Sequence, residues 1–401
     1  MKFNKSEKIL LFSLAAVQFT HIVDFMILMP LGEPLMKHFD ISAQKFGMLV
    51  SAYALSAGTT GLLSAFFMDR FDRKKSLVFL YFGFIVGTLC CGLSNDYLFL
   101  LLSRILTGGF GGVLTSTVLA IVGDSIAAEK RGTALGLVMS AFSVASIAGV
   151  PFSIYLASHF GWHAPFYFLV ILSSVVLVGI YNSVPAINKH LHGQAMGFQK
   201  TILFFKETLS SPALIAPLAL MCMLILGQFS VIPFISPSLI ANVGMSLSEL
   251  PFFYLIGGIT SMIASPVTGR LVDKYGAKKV LQYSLLISAP PFIAITQMQQ
   301  WPMYIVLLIG LVLFLVMSGR MVPAMTLVTG AVPPEHRGTF MGLSSCLQQY
   351  ASSAASLIAG AIIVKDAGSG HLLNYPLVGY FAVAMTLLCY LLLPFIKKTN
   401  Y

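Results

Sequence analysis

Long apolar runs alternate with short polar breaks along most of the chain. Each run is about 20 residues, enough to cross a bilayer as a helix. Backbone polar groups in lipid must be bonded within the segment, so the runs read as helices. No segment shows the alternation of a membrane barrel strand. The pattern predicts helices near 9–31, 46–68, 76–94, 97–122, 133–157 and 164–183, and a second set near 212–240, 249–271, 278–298, 302–328, 338–363 and 374–396. The fold class expected is therefore all-α, with twelve transmembrane helices in two six-helix bundles. The long polar interruption, 184–211, divides the chain into a first bundle (1–183), a linker and a second bundle (212–401). Within the linker, Lys200 to Lys206 is expected to lie on the membrane surface as an amphipathic helix. His190 and His192 read as solvated linker residues rather than metal ligands. The first apolar run follows Lys2, Lys5 and Lys8 but is too long for the core of a signal peptide, so it is read as a retained first helix.

Composition agrees with this pattern. The 401 residues are 57% hydrophobic and only 9% charged, against about a quarter charged in soluble domains. Five cysteines lie inside apolar runs without ligand-like spacing, which implies packing rather than a metal site or a disulfide framework. The net charge of +10 raises the question of nucleic acid. Placement answers it. With a cytoplasmic N-terminus, 19 of the 24 Lys and Arg residues fall in cytoplasmic segments and three, Lys37, Lys45 and Lys365, on the opposite face; Arg104 and Arg320 fall inside helices. This is the bias of inner loops toward positive charge, and it puts both termini in the cytoplasm of a multi-pass protein of the cell (inner) membrane. The basic charge thus points to anionic lipid headgroups, not DNA or RNA.

The two halves repeat. Asp69-Arg-Phe-Asp-Arg-Lys-Lys75 and Asp273-Lys-Tyr-Gly-Ala-Lys-Lys279 start 204 residues apart, and Glu129-Lys-Arg-Gly-Thr133 and Glu335-His-Arg-Gly-Thr339 start 206 apart. Two landmarks at nearly one offset indicate parallel repeats related by an axis along the membrane normal. These residues resemble the major facilitator superfamily over essentially the whole chain. The family's loop between helices 2 and 3, Gly-x-x-x-Asp-Arg-x-Gly-Arg-Lys, is matched at Asp69, Arg70, Arg73 and Lys74, with Ala65 and Asp72 in place of its glycines. The second copy keeps both, as Gly269 and Gly276. Arg104-Ile-Leu-Thr-Gly108 matches a helix 4 pattern, and Asp24 to Pro30 resembles the helix 1 segment of twelve-helix drug:proton antiporters and sugar-efflux permeases. Helix 5 carries Gly149-Val-Pro151 where the family's antiporters usually show Gly-Pro within a longer glycine series. The resemblance implies a secondary transporter that exposes a small organic substrate alternately to each side, with protons as the coupling partner, no cofactor, and a monomeric state. Proton-driven efflux is the leading expectation; a nutrient uniporter, a proton symporter and a non-transporting receptor are the alternatives.

Candidate residues follow from intramembrane polarity. Asp24 lies in the first helix, and such a carboxylate must be paired, protonated or hydrated. Gln18, Thr20 and His21 share its half of the helix surface. Loss of water favours the neutral carboxyl and a nearby cation the charged one, so a group between these pulls suits proton exchange. An alternative is a hydrogen bond that only orients the helix. Arg104 cannot lose its proton and needs an anion, carbonyls or water; Asp24 is its candidate partner, and the resemblance adds a place in proton coupling. Arg320 has Leu114 as its repeat equivalent, so the duplication does not explain it, and a substrate anion and a structural role stay open. Gln228, Gln348 and Gln349 are neutral candidates for lining the substrate cavity. Glu33 and Glu249 read as interfacial, solvated groups. Asp69, Arg70, Arg73, Asp124, Asp273 and Lys274 form the expected cytoplasmic gate, in which the resemblance pairs Asp124 with Arg73. The glycine-rich Gly108–Gly112 lies within a helix and follows no strand, so it is no nucleotide loop, and neither a zinc-protease motif nor a nucleophile elbow is present. No enzyme is expected.

Overall fold

A computed structural model describes residues 3–66, 68, 71–184, 208, 210–333, 337–366 and 368–396. The first helix, α1 (Lys5–Ile27), starts earlier than its apolar run. Asn4 and Glu7 explain the start. The Glu7 amide donates to Asn4 Oδ1 at 2.7 Å and the Asn4 amide to Glu7 Oε2 at 2.8 Å, a reciprocal cap. The helix ends before Pro30, whose ring disfavours helical geometry in the residue ahead of it. A seven-residue helix, α2 (Gly32–His38), follows, and then α3 (Ala43–Ser64), α4 (Arg73–Gly92) and α5 (Tyr97–Ser125). Asp72 and Asp96 cap α4 and α5, accepting from the Lys75 and Phe99 amides at 2.9 Å each.

The fifth long segment is not one regular helix. It runs as α6 (Ala128–Met139), α7 (Ala141–Val144), a π-helical turn at Ala145–Gly149 and α8 (Val150–Phe160). Pro151 has no amide hydrogen to give to the preceding turn, and the wider π turn lies where that bond is missing. α9 (Ala164–Ser183) completes the first set. The second comprises α10 (Pro212–Ala241), α11 (Leu250–Tyr275), α12 (Ala277–Thr296), α13 (Met303–Thr329), α14 (Arg337–Ile362) and α15 (Tyr375–Leu392). A small antiparallel hairpin, β1 (Val364–Lys365) with β2 (Leu372–Leu373), joins the last two. Among the described residues, ten long helical segments are apolar enough to cross a membrane. α12, with two lysines at its start and a Pro290-Pro291 pair, and α14, rich in serine and glutamine, fall short on hydropathy but complete the twelve-helix arrangement.

The chain divides into two compact units, 1–27 with 52–203 and 28–51 with 204–401. In the first, α4 packs on α5 and α9, and α1 on α9 and α6. Its apolar core runs from Leu10, Leu11 and Leu14 through Leu77, Tyr81 and Phe84 to Leu114, Val118 and Ile121. In the second, α13 packs on α11 and α12, while α10 packs on α14 and α15. Leu218, Met221, Leu281, Leu285, Val328, Phe340 and Leu393 form part of its core. Residues 28–51 belong to it: a side chain at Gly47 would strike the Ser356 carbonyl, so that glycine allows close helix approach. Both units expose large apolar side chains, among them Phe12, Phe79 and Ile171 in the first and Tyr283, Tyr304 and Leu391 in the second. In helices of this composition that surface meets lipid, which is as apolar as they are.

Candidate functional site

The polar stripe of α1 turns into the first unit. Gln18, Thr20 and Asp24 are buried. Thr115 donates to Gln18 Oε1 at 3.1 Å, and Thr20 shares a 2.8 Å hydrogen bond with the Tyr81 hydroxyl. Asp24 meets Arg104 directly. Arg104 Nη1 donates to Asp24 Oδ2 at 2.9 Å and more weakly to the Asp24 carbonyl at 3.4 Å. Thr88 Oγ1 donates to the other carboxylate oxygen at 3.2 Å. Helices α1 and α5 thus supply one ion pair, side chains 0% and 1% exposed, and α4 adds the Thr88 hydrogen bond to it. Burying such a pair costs solvation of both charges, and only short, well-placed hydrogen bonds offset it.

Two partners here were missing from the sequence reading. Thr88 is one. Tyr53 is the other: the Arg104 guanidinium lies over its ring, 4.4 Å from the centroid, a cation–π contact. Among the described residues, the Tyr53 hydroxyl has no hydrogen-bond partner, nor does Arg104 Nε. His21 is only partly buried as a residue, yet both its ring nitrogens are shut off and unpartnered, with Tyr53 and Phe84 rings at 6.4 and 6.0 Å. The pair is therefore flanked by unused donors and acceptors. Glycines make room for this. A side chain at Gly111 would meet the Tyr53 hydroxyl and the His21 ring, and one at Gly108 the Tyr53 backbone. One at Gly149, beside the π turn, would meet Val23 and Phe19 of α1.

The second unit holds a different cation. Arg320 on α13 is 0% exposed. Its Nη2 donates to Gln228 Oε1 at 3.3 Å, and its guanidinium lies 4.8 Å from the Phe292 ring centroid. Gln348 donates to the Ser344 hydroxyl at 3.2 Å and is half-buried, as is Gln349 beside it.

Among the loop residues, Arg73 Nε donates to Asp124 Oδ2 at 3.2 Å. Asp273 and Lys274 are exposed, and Lys274 lies over the Tyr275 ring at 5.1 Å. Asp69 and Arg70 lie outside the described residues, as do Lys189, His190, His192, Lys200–Lys206 and Glu335. Glu33 departs from the reading as a solvated group. Its side chain is 16% exposed and accepts from Lys365 of the hairpin at 2.7 Å, within the second unit. Glu249 is exposed; hydrogen bonds from the Ser246 hydroxyl and amide hold its carboxyl below the usual carboxylate range.

Comparison with known proteins agrees with this architecture. The sequence profile of the Major Facilitator Superfamily matches residues 14–356, and again 218–400. The uncharacterized MFS-type transporter YceJ of Bacillus subtilis (strain 168) is 24% identical over 372 residues, covering 93% of each chain. The putative transporter AraJ of Escherichia coli (strain K12) is 25% identical over 240 residues, 60% of this chain and 59% of its own. Among solved structures, a D-xylose-proton symporter superposes with a TM-score of 0.79 at 17% identity over 98% of both chains. A bacterial homolog of the human lysosomal transporter Spinster does so at 0.75 and 14%, covering 100% of this chain and 99% of its own. At such identities the structures share the fold, and function does not follow from fold alone. A mostly helical chain of apolar spans, built as a repeat and matched by one profile across most of its length, belongs to the major facilitator superfamily, the secondary transporters of small molecules.

Proposed function

We propose that this transporter couples outward movement of a small organic molecule to inward movement of protons, with Asp24 as the group that exchanges the proton. The observation that carries the reading is the buried Asp24–Arg104 pair with unpartnered His21 and Tyr53 beside it. A carboxylate in that place has a cation to hold it charged and an apolar wall to favour its neutral form. Protonation of Asp24 releases Arg104 from its only carboxylate among the described residues, so proton uptake and a change in the packing of α1, α4 and α5 go together. A shift between two arrangements needs such a difference in contact energy. His21 sits one turn from Asp24 and accepts or relays the proton. Gln18 and the glutamines of the second unit, Gln228, Gln348 and Gln349, offer neutral hydrogen bonds to substrate. Arg73 with Asp124 and the loops at Asp69, Arg70, Asp273 and Lys274 serve the cytoplasmic gate, both termini facing the cytoplasm.

The fold also serves symport, so the test is direction. Purified protein is reconstituted into liposomes with a substrate found by thermal-stabilisation screening and with a pH-sensitive dye inside. Antiport predicts that adding substrate to one side acidifies that side's lumen or medium as substrate leaves it. Alkalinisation of the side that substrate leaves identifies symport, and an unchanged dye signal during transport identifies uniport; either result rejects the proposal.

A further inference from the structure

The two buried arginines are not equivalent. Arg104 has a carboxylate at 2.9 Å. Arg320, at 0% exposure, has one hydrogen bond, 3.3 Å to the neutral amide oxygen of Gln228, and the face of Phe292. Its Nε and Nη1 have no hydrogen-bond partner among the described residues. A guanidinium does not give up its proton. A permanent charge removed from water is costly unless an anion answers it. Among the described residues of the second unit, the carboxylates are committed or exposed. Glu33 takes Lys365, Glu249 takes Ser246, Asp366 takes Ser369, and Asp40 and Asp273 face out.

The repeat shows that the fold does not require a charge there. The equivalent position in the first unit is Leu114, 0% exposed and part of its apolar core. A leucine fills that place in one unit, and an arginine with spare donors fills it in the other. Retained cost without structural need marks a group kept for binding.

We propose that Arg320 receives a monovalent carboxylate of the transported molecule, oriented by Gln228 and set against the Phe292 ring. One uncompensated positive charge matches one negative charge, and two free nitrogens supply donors to carboxylate oxygens. The inference deepens the transport reading by naming a substrate class. It does not depend on the proton step, because it is read by binding without any pH gradient.

The test is thermal unfolding of the full chain, purified in detergent in a zwitterionic buffer without other small anions, with benzoate or hexanoate, with the neutral benzamide or hexanamide, and with chloride. The carboxylates are expected to raise the unfolding midpoint by several degrees and the amides to leave it in place. Arg320→Gln is expected to abolish the shift, and without ligand to unfold no earlier than the wild type, since an unanswered charge has been removed. Arg320→Lys, which keeps the charge but not the planar fork, is expected to retain only part of the shift. Three results overturn the proposal. One is a wild type that no carboxylate stabilises. Another is an Arg320→Gln protein that loses stability without ligand, as a structural arginine would. The third is a shift given by chloride alone, which makes the site one for a free inorganic anion.

Discussion

Asp24 and Arg104 are each stable in place because of the other. Deleting one member of a buried pair leaves the other uncompensated, at a cost of about 3–5 kcal/mol. Substitutions that keep hydrogen bonds, such as Asp24→Asn, are therefore gentler than Asp24→Ala. Gly111 gives a sharper prediction. A methyl group there meets the Tyr53 hydroxyl and the His21 ring, so Gly111→Ala is expected to lower stability by about 1–3 kcal/mol, as overpacking does. The same change at Gly123, where nothing lies within 4 Å, is expected to leave the melting midpoint nearly unmoved; equal midpoints for both variants would show that the pocket yields freely. The sequence made Asp24, His21 and Arg104 visible because a charged or titratable group in an apolar run stands out. Thr88 and Tyr53 were not visible. Threonine and tyrosine are ordinary in membrane helices, and only packing brings Thr88 to the Asp24 carboxylate and the Tyr53 ring to the Arg104 guanidinium paired with it.

At the scale of elements, the two charged loops use their differing residues differently. Asp72, which replaces the family's glycine, caps α4 through the Lys75 amide. Gly276, its counterpart, ends α11 with φ of 85° and an amide bonded to the Val272 carbonyl at 2.8 Å, a left-handed turn that glycine adopts without cost. Asp72→Ala is expected to remove about 1 kcal/mol of capping, read as faster amide exchange in the first turn of α4; unchanged exchange there would assign the cap no weight. Helix existence was legible from apolar runs throughout. Element ends were less so. α1 begins at Lys5 and not near residue 9 because its first turn is polar and held by capping, which hydropathy does not register. The short α2 and the β1–β2 hairpin, in loops of mixed polarity, were not foreseen, and the π turn follows from Pro151 within a run that reads as one helix. Arg73 and Asp124 meet as the resemblance implied, at 12% and 34% exposure, so their bond is worth at most about 1 kcal/mol, weak enough for the gate proposed for them.

For the whole molecule, duplication supplied two related units and divergence gave them different cations. The first answers its arginine from within, with Asp24. The second leaves Arg320 with donors to spare. On the proposed function the first unit serves the proton and the second the substrate; the repeat, with Leu114 opposite Arg320, showed the asymmetry in the sequence but not what each residue touches. Coupling then requires that proton occupancy at Asp24 alter substrate movement, and linkage makes that effect reciprocal. The most direct test compares two fluxes in Asp24→Asn proteoliposomes. Gradient-free exchange of labelled for unlabelled substrate needs no net proton movement, whereas accumulation driven by an imposed pH gradient does. Asp24→Asn is expected to continue to exchange while gradient-driven accumulation falls to the level of empty liposomes. Accumulation in the variant that matches the wild type under the same gradient would contradict that coupling.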